Sequence, residues 1–265
     1  MAQRVLTSRG NYFIYLWYHL LVIKAWINKE QLDFMNLGFV GALESTVKET
    51  SEADKLHRQS SLYLKVFEGA RDSINHVLEV GSGLGGGTNL AAKYLPGKVV
   101  YGVDKLTLSV AYSNSKFKKD NIEFFRATSE NFPSVIGDVK FDFVFSVEAS
   151  QHFPEESKFF TNVSNALTSN GRLHYADVFR VEAVAKVETE MERASLAILH
   201  KEDITSGVLQ SIDSSSTSGG VMGYLEDILL NKQGVNFTKG SEFHNQLKEG
   251  KLVYIKYILG KAQQT

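Results

Sequence analysis

Residues 77–88 read VLEVGSGLGGGT, and the fold is decided there. The run NHVLEV at 75–80 is short, apolar and β-branched, as a buried strand requires. Gly81, Gly83 and Gly85 then alternate with Ser82 and Leu84, and LAAKYL at 90–95 has helical spacing. Glycine lets a backbone turn sharply and approach a ligand with no Cβ between them. The helix beyond offers unpaired N–H groups at its start. Gly81, Gly83 and Gly86 also satisfy G-x-G-x-x-G, so the glycines alone leave the nucleotide-type ligand open. Glu79 tips the balance, because a carboxylate there is awkward beside a pyrophosphate and useful beside an ammonium.

Strands and helices alternate outward from this point. KVVYGVD (98–104) reads as a second strand, LTLSVAYSNSKF (106–117) as a helix and NIEFFRA (121–127) as a third strand. KFDFVFSVEA (140–149) gives a fourth, and GRLHYADVF (171–179) a fifth after a helix around 159–167. Such alternation predicts an α/β fold with a mostly parallel sheet, because each parallel crossover needs a covering helix. Ligands then gather at the carboxyl ends of the strands.

The flanks are less regular. Residues up to about 68 read as helical: the aromatic stretch NYFIYLWYHLLVIKAWI (11–27), then LDFMNLGF (32–39), then a polar helix over 54–67. Beyond Arg180, residues 181–200 read as one charged helix, and ITSGVLQSI and MGYLEDILL as two more around a serine-rich loop. GVNFTKGSEF (234–243) and KLVYIKYILG (251–260) read as two strands joined by a polar turn. The expected organisation is a helical, aromatic cap (1–70), an α/β core (71–180), a helical lid insertion (181–231) and a closing strand pair (232–265).

Composition narrows the function. A net charge of -1 supplies no global basic field for nucleic acid or for a polybasic anchor. The absence of cysteine excludes disulfides, thiolate metal sites and cysteine nucleophiles, and no metal is expected. The stretch 11–27 is interrupted by His19 and Lys24 and is short for a spanning helix, and no cleavage signal follows it. Three readings stand for it: packing on the domain, a lid over an apolar pocket, or a peripheral contact at a membrane interface. A cytoplasmic location, with or without that membrane contact, is the expectation.

Several side chains fall at strand ends. Asp104, a little over 20 residues past the first glycine, can accept from two ribose hydroxyls or cap the following helix. TSENFP (128–133) and EASQHFP (148–154) follow the third and fourth strands. His152 in the latter is a candidate general base, weighed evenly against a surface loop histidine. Asp177 ends the fifth strand on the same edge and is placed to orient His152.

In order and spacing, VLEVGSGLGGG, VYGVD, FFRATSENFP, FDFVFSVEASQHFP and LHYADVF resemble the class I S-adenosylmethionine-dependent methyltransferases over 77–180. The motifs VEASQHFP and YADVFR and the closing strand pair, with the aromatic N-terminal segment, are similar to phenolphthiotriolone-type lipid O-methyltransferases, and VEASQHFP more loosely to sterol and tocopherol C-methyltransferases. The resemblance implies a Rossmann-like seven-stranded sheet with an antiparallel C-terminal strand pair and a helical lid. It implies that Glu79, Gly81, Ser82, Gly83 and Gly85 hold the methionine and ribose portion, and Asp104 the ribose hydroxyls. Val147 and Glu148 would lie beside the methionine moiety. Lys105, Thr128, Ser129 and Glu130 complete the expected cofactor contacts, with Thr128 standing where the family usually has an acidic residue that reads the adenine amino group. His152 and Asp177 match a base pair found in some sugar O-methyltransferases, with Glu148 a third catalytic candidate.

Methyl transfer from a sulfonium is an in-line displacement, so holding the acceptor near the methyl carbon is the main task. A hydrophobic acceptor is expected, walled by Tyr12, Tyr15, Trp17 and Tyr18 and closed by Tyr224. The favoured reading is transfer to a hydroxyl of a small hydrophobic or lipid-like molecule. The competing readings are C-methylation of a sterol-like acceptor, a non-catalytic cofactor-binding scaffold, and an NAD-dependent oxidoreductase. A nucleic-acid methyltransferase is disfavoured by charge and by the lack of an Asn/Asp-Pro-Pro-aromatic tetrad.

Overall fold

The computed structural model describes residues 19–20, 22–23, 26, 33–41, 51–71, 74–95, 99–214 and 237–262. Within them, helix α1 (Ser51–Phe67) precedes β1 (His76–Val80), α2 (Gly86–Tyr94), β2 (Val99–Asp104), α3 (Thr107–Phe117) and β3 (Ile122–Arg126). There follow α4 (Phe132–Ile136), β4 (Phe141–Val147), a 3-10 turn (Ser150–His152), α5 (Glu156–Ala166) and β5 (Leu167–Arg180). The chain closes with α6 (Val184–Arg193), β6 (Leu196–Asp203), α7 (Thr205–Ser214), α8 (Glu242–Lys248) and β7 (Leu252–Lys261).

The seven strands lie in the order β3-β2-β1-β4-β5-β7-β6. β1 pairs in parallel with both β2 and β4, and β5 in parallel with β4. β7 is inserted antiparallel between β5 and β6, with Arg180 opposite Leu252 and Leu196 opposite Lys261. This is the expected Rossmann-like sheet. The winding reverses between β1 and β4, which opens a crevice above their carboxyl ends.

Apolar strands buried on both faces explain the two cores. On one face Val77, Phe143 and Phe145 pack with Leu62, Val66 and Phe67 of α1, and with Val208 and Leu247 of α7 and α8. On the other, Leu78, Val144 and Tyr175 pack with Phe159 and Phe160 of α5 and Met191 of α6.

Three flanking readings need correction. Residues 181–200 are not one helix: α6 ends, Ser195 takes φ 58, and Leu196–Asp203 forms the outermost strand. The antiparallel pair is therefore β6 with β7, its outer strand drawn from the stretch read as lid insertion. The strand expected at 234–243 is replaced, where described, by a turn and by α8, whose N-cap Ser241 accepts from His244 N–H at 3.2 Å. LDFMNLGF is not helical over its described part, 33–39. Gly38 has φ 76, and Phe39 and Val40 donate to the Arg58 and Gly207 carbonyls. Those bonds to distant partners replace the local helical ladder.

Candidate active site

The glycine turn is built by three backbone bonds. Gly81 and Ser82 N–H both donate to the Val103 carbonyl at 2.9 Å, and Gly85 N–H closes the turn on Ser82 O at 2.8 Å. Gly81 needs its φ of 84, and a Cβ there would collide with that of Ala149. Bare backbone therefore lets the loop after β1 lie against the loop after β4.

Asp104 ties that turn to β2. One carboxylate oxygen accepts Gly83 N–H at 3.0 Å and the other Leu106 N–H at 2.8 Å. Burial nevertheless pushes its pKa up to about 6. The cavity beside it is walled by Gly81 to Leu84, Val103 to Leu106, Ser109, Ala127 to Ser129, Val147 to Ala149 and His152 to Pro154. Asp33 to Asn36 and Tyr63 complete it from outside the sheet. Ser82 Oγ and Ser109 Oγ are buried with no hydrogen-bond partner among the described residues. An unpaired buried hydroxyl costs about 1–3 kcal/mol, so a polar ligand in this cavity has donors and acceptors waiting.

Glu148 links the wall to the outer loop. Its φ is 52, an unusual conformation for a glutamate and one that concentrates at functional sites. Its carboxylate accepts Leu37 N–H at 3.1 and 3.2 Å and the Tyr254 hydroxyl at 3.0 Å. Burial outweighs these bonds and raises its pKa to about 8. Glu79 is also raised to about 8, again by burial. It lies beneath the loop rather than on the wall: the Thr88 hydroxyl donates to one oxygen, and the other sits where a Cβ on Gly87 would clash.

The structure brings Gly81, Ser82, Gly83, Asp104, Lys105, Thr128, Ser129, Val147, Glu148 and His152 to one cavity. It does not bring Glu79, Gly85, Glu130 or Asp177 to that wall. Asp177 was expected to orient His152. It is buried, accepting Ser150 N–H at 2.9 Å, the Ser150 hydroxyl at 2.7 Å and Val178 N–H at 2.8 Å. Its carboxylate holds the turn that carries His152 rather than the imidazole. Glu130 accepts from the Ser129 hydroxyl and from Glu155 N–H. Thr128 takes its N–H to Asn131 Oδ1 at 2.7 Å, and its hydroxyl to the same oxygen at 3.1 Å. Tyr12, Tyr15, Trp17, Tyr18 and Tyr224 lie outside the described residues.

Sequence reasoning missed Asp33 to Asn36, Tyr63, Ser109 and Tyr254. Only Ser109, one turn after Asp104, carried a local signal. Among the described residues no cluster of three or more His, Asp or Glu could hold a metal ion.

A methyltransferase-domain family model matches residues 78–175, the stretch that builds the strand-end wall. Phthiotriol/phenolphthiotriol dimycocerosates methyltransferase of Mycobacterium leprae is 26% identical over 97% of this chain and 96% of its own length. A counterpart from Mycobacterium ulcerans is 25% identical over 98% and 96%. Among solved structures, the StiE O-methyltransferase domain superposes with a TM-score of 0.65 at 15% identity, covering 96% of this chain and 92% of that one. Geranyl diphosphate C-methyltransferase of Streptomyces coelicolor gives 0.62 at 14% identity, covering 92% and 98%, and establishes the same fold. The glycine turn, the strand-end carboxylate and the sheet order thus coincide with a methyltransferase match, which removes the oxidoreductase reading. The chain is a class I S-adenosylmethionine-dependent methyltransferase.

Proposed function

We propose that this enzyme methylates a hydroxyl of a lipid-like acceptor. The observation that carries the reading is the likeness, nearly end to end, to methyltransferases named for triol dimycocerosates, whose name declares both hydroxyls and fatty acyl groups. S-adenosylmethionine, when bound, supplies a methyl group on a positively charged sulfur. The residues present fit it: bare backbone at Gly81 and Gly83, the buried Asp104 carboxylate and the unpaired Ser82 hydroxyl share one cavity. In this reading Asp104 accepts from the ribose hydroxyls with lone pairs left over from Gly83 and Leu106. Val147 and Glu148 flank the methionine end, where the Glu148 carboxylate offsets positive charge.

In this reading His152 takes the acceptor's proton as the O–C bond forms and the S–C bond breaks, with the neutral thioether as leaving group. The His152 Nδ1 is buried, so Nε2 would receive the proton. Asp177 acts one step removed, by fixing Ser150 and hence the turn. Transfer to carbon is the second reading, favoured by a buried carboxylate, Glu148, and the Tyr63 ring on one wall, where a developing cation would be stabilised.

Incubation with labelled S-adenosylmethionine and a panel of phenolic, triol and sterol-like lipids tests both. An O-methyl ether in the product, lost with His152→Ala, is expected. A C-methylated product, or turnover untouched by His152→Ala, goes against the hydroxyl reading.

A further inference from the structure

His19, Leu20, Val22, Ile23 and Trp26 are helical, and the sides of this segment differ. Val22 is fully buried in a small cluster with Leu84 of the glycine turn and Tyr112 of α3. Trp26 meets the Tyr112 ring edge-on, with centroids 6.1 Å apart. Leu20, Ile23 and Trp26 are nevertheless 56%, 42% and 45% exposed. Spacing of three residues sets them along one helix face. The other large exposed apolar side chains among the described residues, Tyr94, Val135, Val181 and Leu199, are scattered through the chain.

Charge points to what covers this face. The chain up to Leu32 carries Arg4, Arg9, Lys24 and Lys29 against Glu30 alone, whereas the whole protein has a net charge of -1. An apolar, tryptophan-bearing face in a locally cationic segment suits a helix lying in the headgroup region of an anionic bilayer. No helix among the described residues is long and apolar enough to cross one.

We propose that Leu20, Ile23 and Trp26 dock the enzyme on an anionic lipid surface. Val22 then couples the docked segment to the cofactor turn through Leu84, so that the cavity meets the membrane that holds the acceptor. That purpose rests on the lipid-acceptor reading, whereas docking itself needs no acceptor.

The test is flotation of the full chain with phosphatidylcholine vesicles, with and without phosphatidylglycerol. Trp17 and Trp26 are the only tryptophans, so their emission reports on this segment alone. Anionic vesicles should float the protein and shift its emission to the blue. Leu20→Ser/Ile23→Ser should weaken binding about tenfold while leaving S-adenosylhomocysteine binding intact. Absence of flotation of the unmodified chain, or equal flotation of the double variant, overturns the proposal. So does a dimer that the double variant splits without any vesicle binding, which assigns the face to a second copy. Turnover of detergent-dispersed acceptors is measured separately, so docking and acceptor class can each fail alone.

Discussion

Glu148 and Leu37 lie 111 residues apart, yet both Glu148 oxygens accept the Leu37 N–H, at 3.1 and 3.2 Å. The bond fastens the loop 33–41 to the end of β4, and four residues of that loop line the cavity at the strand ends. Leaving a buried N–H without its acceptor costs about 1–3 kcal/mol. Glu148→Ala should therefore weaken S-adenosylhomocysteine binding by about tenfold or more and expose the loop to proteolysis. Glu148→Gln, which still offers Leu37 an acceptor, should protect the loop better than alanine does. Equal proteolysis of the two variants would remove the latch from the account.

The separate duties of His152 and Asp177 are also measurable. Asp177 fastens Ser150 inside the core, so Asp177→Asn should lower the melting temperature by several degrees, as about 1 kcal/mol does in a domain of this size. His152→Ala should lower kcat by about a hundredfold or more with little change in melting temperature. An Asp177→Asn enzyme of unchanged stability and lost kcat would restore the paired-base expectation.

Burial raises Glu79 and Glu148 from 4.5 to about 8. Between those values the native state keeps protons that the unfolded chain has released. Their contribution to stability is complete below about pH 4.5 and is lost as pH rises through about 8. Melting temperature should fall across that window, and Glu79→Gln should flatten the fall. A slope unchanged in Glu79→Gln would show that this carboxylate does not titrate there.

Positive charge in the cavity favours the ionised form of Glu148. Affinity for S-adenosylmethionine should then rise between about pH 6 and 8, with protons released on binding. Calorimetry in buffers of different ionisation enthalpy reads that release directly, and proton uptake would contradict the assignment.

The stretch 77–180 was legible because its apolar strands alternate with helices, and β1, β2 and β4 are closed by Gly81, Asp104 and Glu148. Its sheet, its glycine turn and Asp104 follow from local pattern. The loop 33–41 was not legible, since Glu148, Arg58 and Gly207 set its shape and none is near in sequence. β6 was misread as helix because an edge strand buries few of its side chains, and LAILHKED lacks a clean alternation. α8 had a signal that was passed over, Ser241 ahead of Glu242 in the first turn. Asp177 fell on the right edge of the sheet, but sequence alone could not show that Ser150 would claim its oxygens.

The most direct measurement is calorimetric titration of the full chain with S-adenosylhomocysteine, with NAD in parallel. Micromolar binding of the first, lost in Asp104→Ala and absent for NAD, is the predicted result. Binding of NAD alone, or S-adenosylhomocysteine binding indifferent to Asp104→Ala, would contradict the site described around the glycine turn.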